Sequence, residues 1–188
     1  MSRKNLIVGQ SGGPTAVINS SLYGVVSEGR RHPETIEHIY GMVNGIEGFL
    51  NGTVLDFAEA LPGEKLEGLK YTPGAYLGSC RYKLPESLED PIYPKLFKKF
   101  EEMNIGWFFY IGGNDSMDTI KKLSDYAIIK GHPQKFIGCP KTIDNDLALT
   151  DHTPGFGSAA KYIGTSVKEI IRDSFCLEYS KGLVTIVE

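Results

Sequence analysis

The sequence predicts a doubly wound α/β fold, a Rossmann-like and mostly parallel sheet with helices on both faces. Three observations carry this. Short apolar runs of strand length alternate along the chain with longer segments whose apolar residues recur at helical spacing. The runs are apolar throughout instead of alternating with polar residues, as strands buried on both faces are. Polar or glycine-rich loops follow three of them, at Gln10–Thr15, Gly112–Ser116 and Cys139–Leu147.

In chain order, Asn5 to Gly9 reads as a central parallel strand. After the loop Gln10-Ser11-Gly12-Gly13-Pro14-Thr15, residues Ala16 to Arg30 carry Val17, Ile18, Leu22, Val25 and Val26 at helical spacing. Ile36 to Tyr40 predicts a second strand, and Thr53 to Phe57 a short third one. Gly41 to Gly52 is glycine-rich and reads as irregular, and Leu61 to Gly78 as loop with at most a short helix. Pro91 to Met103 predicts an amphipathic helix presenting Leu96, Phe97, Phe100 and Met103. Trp107 to Ile111 is a strand, and a helix capped by Asp115 or Ser116 then runs to about Ile129. Phe136 to Gly138 is a further strand. A long helix from Gly157 to about Tyr179 is expected to bury Ala160, Ile163, Val167, Ile170, Ile171 and Ser174, before a last strand from Leu183 to Val187. Gly155-Phe156-Gly157-Ser158-Ala159-Ala160 fits G-x-G-x-x-A, but no strand precedes it and no acidic partner follows, so it is not a dinucleotide fingerprint.

Bulk properties narrow the function classes. The chain has 188 residues, 41% of them apolar, and a formal charge of −3. That is enough for one core, or one domain and part of another. Mild acidity without a Lys/Arg block gives no support to nucleic-acid or membrane-surface binding. The doublets Lys98-Lys99 and Lys121-Lys122 read as solvated helix faces. Three cysteines (Cys80, Cys139, Cys176) without C-x-x-C spacing imply neither a disulfide framework nor a zinc ribbon, and point to a reduced, cytoplasmic setting. Four scattered histidines lack metal-ligand spacing, and no signal peptide or membrane-spanning run is read.

Chemistry concentrates in the loops. Gly138 to Leu147 packs Lys141, Thr142, Asp144, Asn145 and Asp146 into six residues, a density that a plain turn does not need. In parallel sheets ligands bind at the carboxyl ends of the strands. The Ser11-Gly12-Gly13 loop offers amides at a helix N-terminus, suited to a phosphate, but lacks the Gly-Lys-Ser/Thr ending of a Walker A loop. Asn114 and Asp115 offer oxygens to a hard cation such as Mg²⁺. Lys141 and Arg81 offer fixed positive charge, Asp144 a base, and Thr142 a group to orient an acceptor. An anion cradle, a metal, a cationic stabiliser and a positioned base are the parts that phosphoryl transfer requires.

These blocks resemble the phosphofructokinase family. Ser11-Gly12-Gly13 to Asn19 is similar to its first phosphate loop, and Gly112-Gly113-Asn114-Asp115-Ser116 to its G-G-D-[GD]-S loop. Pro140 to Asp146 is similar to its catalytic P-[GK]-T-I-D-[NG]-D loop. Leu77 to Arg81 and Thr150 to Phe156 also fit, so the resemblance covers nearly the whole chain. It implies transfer of phosphate to the 1-hydroxyl of fructose 6-phosphate with Mg²⁺. Asp144 takes the place of the general base, aided by Lys141 and Arg81. Gly12, Arg81, Asp115, Ser116 and Lys141 fall on the donor, Thr142, Ile143, Asp144 and Asp146 on the sugar phosphate, and Asn114 and Asp115 on the metal.

Two positions bear on the donor. ATP-using members typically have glycine at the places of Asp115 and Lys141, whereas pyrophosphate-using members carry Asp and Lys. A carboxylate there intrudes on the space and potential that the α-phosphate of ATP needs, and a lysine stabilises a pyrophosphate transition state. Pyrophosphate is therefore the expected donor, with ATP the alternative. Asn114 departs from the family's magnesium-associated Asp; an amide presents an oxygen without charge. That departure also admits a non-catalytic regulatory subunit, against which the complete Lys141, Thr142, Asp144 and Asp146 set argues. Residues 1–150 are expected to form the donor-side domain and 151–188 the start of a sugar-side domain, inactive alone. Further chain and neighbouring subunits of a homo-oligomer would then complete the site.

Overall fold

A computed structural model describes residues 3–176 and 186. Five strands form one sheet: β1 (Lys4–Gln10), β2 (Ile36–Met42), β3 (Val54–Asp56), β4 (Ile105–Gly112) and β5 (Lys135–Pro140). Their spatial order is β3-β2-β1-β4-β5. β1 pairs in parallel with β2 and β4, and β4 in parallel with β5, while the short edge strand β3 runs antiparallel to β2. The expected mostly parallel sheet is thus observed. Because β1 is followed by β2 on one side and has β4 on the other, the strand order reverses between β1 and β4, where a crevice opens in such sheets.

Helices cover both faces. On one, Ile18, Leu22 and Val26 of α1 (Ile18–Arg30) pack with Leu6 and Val8 of β1 and with Phe57, Leu66, Leu69 and Leu77. On the other, Leu96, Phe97 and Phe100 of α4 (Ile92–Glu102) and Leu123, Tyr126 and Ala127 of α5 (Asn114–Lys130) pack with Ile7, Phe108 and Tyr110. Successive β1 residues alternate between the two cores, as the pleat requires. The sheet is therefore apolar on both sides, and this explains the unbroken runs read from the sequence.

Several expectations are corrected. Gly41 to Gly52 is not wholly irregular, since α2 spans Gly45–Leu50. α3 (Phe57–Ala60) follows β3, capped by Asp56, whose carboxylate accepts from Ala58 N at 2.8 Å. A 3₁₀ helix at Gly63–Tyr71 tucks Leu66 and Leu69 beneath α1. Gly113, not Asp115 or Ser116, occupies the cap position of α5. Lys122 is buried, not solvated, because its ammonium reaches Leu84 O, Glu86 and Asp118. α6 (Phe156–Cys176) has the expected helical periodicity but buries none of its residues. Ile163, Ile170 and Ile171 face solvent because no described element covers them. The far end of that helix to Tyr179 and the strand expected at 183–187 lie, apart from Ile186, outside the described residues.

Candidate active site

A buried polar network holds the segment that leads into one wall of the cleft. Gln10, at the end of β1, donates to Asn19 Oδ1 (2.9 Å) and accepts from Leu77 N (2.8 Å). Asn19 donates to Thr72 O and Gly74 O and accepts from Tyr76 N. Two side chains thereby satisfy the backbone of a segment that has no secondary structure of its own, as buried polar groups must. The chain then turns at Gly78 and delivers Cys80 and Arg81 beside the first glycine loop. Gly12 N and Ser11 Oγ both donate to Cys80 O, and Ser79 Oγ donates back to Gly12 O at 2.5 Å.

The loops after β1, β4 and β5 are joined directly. Ser11 N donates to Ile111 O, and Lys141 N donates to Gly112 O at 3.0 Å. Lys141 is 4% exposed and its ammonium donates to Gly13 O, so the loop after β5 is fastened to the loop after β1. Burial pushes the Lys141 pKa down, and the nearby Asp144 charge opposes part of that shift. Gly12 has φ +77°, a left-handed conformation, and a Cβ there would sit 3.4 Å from Lys141 Nζ. At Gly112 a Cβ would lie 1.9 Å from Ser116 Oγ, so only glycine lets the start of α5 fold back onto β4.

The loop after β5 holds itself open by side-chain bonds. Thr142 Oγ1 accepts from Asp144 N (3.1 Å), leaving the Asp144 carboxylate exposed at the cleft. Asn145 takes a left-handed φ of 55°, which asparagine tolerates, and its amide bridges Thr153 N and Asp151 O. Thr153 Oγ1 donates to Thr142 O, and Thr142 N donates to Pro154 O. Asn145 and Thr153 therefore brace the loop that bears Asp144.

Together these segments enclose a cleft of about 530 Å³. Gly12, Arg81, Asn114, Asp115, Ser116, Lys141, Thr142 and Asp144, all singled out from the sequence, line it. Ile143 and Asp146 do not. Ile143 is exposed, and Asp146 is joined to the cleft residue Asn114, whose Nδ2 donates to its carboxylate at 2.7 Å. Sequence reasoning missed Tyr82 and Lys83, also in the wall. Their signal was adjacency, for they follow directly on the singled-out Arg81. Lys83 forms an ion pair with Asp115 at 3.0 Å.

No group of three or more His, Cys, Asp or Glu side chains suited to a metal ion occurs among the described residues. The donor set is oxygen-rich but sparse. It suits a hard cation that takes most of its ligands from phosphate and water, as Mg²⁺ does.

A doubly wound sheet with a glycine-lined, cation-bearing cleft at its switch point defines a class, the α/β proteins that bind ligands at the carboxyl ends of their strands. Within that class the chain belongs to the phosphofructokinase family, whose model matches residues 5–188. It is 41% identical over its whole length to a pyrophosphate–fructose 6-phosphate 1-phosphotransferase of Methylococcus capsulatus, spanning 45% of that protein. A sulfofructose kinase of Alkalicoccus urumqiensis is 40% identical over 86% of this chain and 40% of its own length. The crystal structure of a pyrophosphate-dependent phosphofructokinase from Nitrosospira multiformis superposes with a TM-score of 0.84 at 42% identity, over 92% of this chain and 42% of that one. The chain thus spans less than half the length of these relatives.

Proposed function

We propose that the full-length protein is a pyrophosphate-dependent 6-phosphofructokinase, moving a phosphoryl group from pyrophosphate to the 1-hydroxyl of fructose 6-phosphate. The observation that carries this reading is the shared cleft of Asp115, Lys141 and Asp144, backed by about 40% identity to a relative of that activity. Residues 1–150 would form the donor side, with 151–188 opening the sugar side.

Asp144 acts as general base. Its carboxylate takes the proton of the 1-hydroxyl as that oxygen bonds to the terminal phosphorus of pyrophosphate. The bridging P–O bond breaks, and its electron pair leaves with the departing phosphate. Lys141 and Arg81 offset the charge that builds on the transferring oxygens and the leaving phosphate. Gly12 and Ser116 hold the donor. Thr142, Ile143 and Asp146 orient the sugar phosphate. Asn114 and Asp115 would hold Mg²⁺, which when bound neutralises phosphate charge. Asp115 also excludes ATP by placing a carboxylate where a nucleotide's α-phosphate would lie.

The full-length protein is proposed to be a cytoplasmic homo-oligomer whose neighbouring subunits and further chain complete the site, in accord with the family resemblance. No described helix is long and apolar enough to cross a membrane. The test is formation of fructose 1,6-bisphosphate by the full-length protein with Mg²⁺ and pyrophosphate, beside an Asp144→Ala control, with sulfofructose offered as the rival acceptor. Product from fructose 6-phosphate, lost in the control, supports the reading. Turnover of sulfofructose alone overturns the acceptor, turnover only when ATP replaces pyrophosphate overturns the donor, and no turnover with either donor moves the protein to a regulatory role.

A further inference from the structure

The stretch 80–86, whose residues 80–83 line the cleft, is held at both ends. Before Lys83, the Cys80 carbonyl accepts from Gly12 N and Ser11 Oγ. After it, the buried Lys122 of α5 donates to Leu84 O (3.2 Å) and Glu86 Oε1 (2.6 Å), and is itself held by Asp118 at 2.7 Å. These bonds fix the backbone around Lys83 while leaving its side chain free to turn. Lys83 and Arg81 sit two residues apart on this stretch, and both line the cleft.

The two other cations of the wall differ from Lys83 in their commitments. Lys141 is buried and bound to Gly13 O, and Arg81 has no side-chain partner among the described residues. Among the described residues Lys83 pairs only with Asp115, at 3.0 Å, and the side chains are 73% and 71% exposed. An ion pair that open to water contributes little, so it is easily exchanged. A diphosphate carries several negative charges and offers an ammonium stronger hydrogen bonds than one carboxylate can.

We propose that Lys83 is a pyrophosphate-binding residue, parked on Asp115 in the free protein and transferred to a donor phosphate on binding. The pair thus serves two ends. In the empty cleft, Lys83 offsets the Asp115 carboxylate that would otherwise repel an incoming anion. In the filled cleft, the exchange leaves Asp115 free and adds a third cation to the donor beside Arg81 and Lys141. This inference rests on the donor reading above.

The test is isothermal titration calorimetry of the full-length protein with pyrophosphate at fixed Mg²⁺, comparing wild type, Lys83→Ala and Lys83→Arg, with melting temperatures taken in parallel. Lys83→Ala is expected to weaken pyrophosphate binding about tenfold and to flatten its salt dependence, with an unchanged melting temperature. Lys83→Arg should recover most of the loss. Wild-type binding matched by Lys83→Ala overturns the role of Lys83 and leaves the donor reading standing. Absence of pyrophosphate binding by wild type overturns both.

Discussion

The Asn114 amide donates to the Asp146 carboxylate at 2.7 Å, linking the first turn of α5 to the loop after β5. The family's usual aspartate at position 114 would place two carboxylates at that distance, and they repel unless a proton or a cation lies between them. Asparagine turns the same spacing into a bond that needs no metal. This gives a physical reason for an amide at a place where a charged ligand is expected.

The substitution Asn114→Asp should therefore make the site depend on a cation. Without Mg²⁺ the variant is expected to lose about 1 kcal/mol, read as a lower melting point. Mg²⁺ should restore more of that loss than any stabilisation it gives the wild type. Thermal melts of both proteins with and without Mg²⁺ measure the difference. Equal metal responses would show that positions 114 and 146 do not share a cation.

Lys141 should set an alkaline limit on activity below the ordinary lysine range. Burial lowers its pKa from 10.5, so in the window between the lowered value and 10.5 the folded protein carries a neutral amine while the unfolded chain still binds the proton. The unfolded state then holds more protons, and the contribution of Lys141 to stability rises with pH across that window. Activity is expected to move the other way, because in the role proposed for Lys141 only the ammonium stabilises the transferring phosphate. In Lys141→Arg the guanidinium stays charged, and the alkaline limb of kcat/KM should shift upward. Superimposable limbs for the two proteins would remove Lys141 from that role.

Asn19 carries more structure than one side chain usually does. Asn19→Ala strips partners from Thr72 O, Gly74 O, Tyr76 N and Gln10, all within a largely buried network. A loss of about 2–4 kcal/mol is expected, readable as a lower urea midpoint. The segment leading to Arg81 loses its anchor as well, so KM for the donor should rise. A change below about 0.5 kcal/mol would mean that water replaces these bonds.

The strands and the major helices were legible in the sequence because local pattern and final burial agree there. Ile7, Leu6 and Val8 are apolar in the sequence and meet two cores in the fold. The βα loops were legible too, since Gly12, Asp115, Lys141 and Asp144 stand at strand ends where the topology gathers them into one cleft. Long-range partners were not. Nothing near Lys122 in sequence announces Leu84 O or Glu86, and so a buried anchor read as a solvated charge. The pairing of Lys83 with Asp115 likewise spans 32 positions and is fixed by how the 80–86 segment lies across α5. α6 shows the converse, an apolar periodicity without a described partner to bury it.

The proposed function requires a cleft that takes pyrophosphate and turns ATP away. The most direct measurement is kcat/KM of the full-length protein for each donor, with Mg²⁺ and saturating fructose 6-phosphate. With Asp115 and Lys141 both present, pyrophosphate should be favoured by about a hundredfold or more. Equal use of the two donors, or a preference for ATP, would contradict the account.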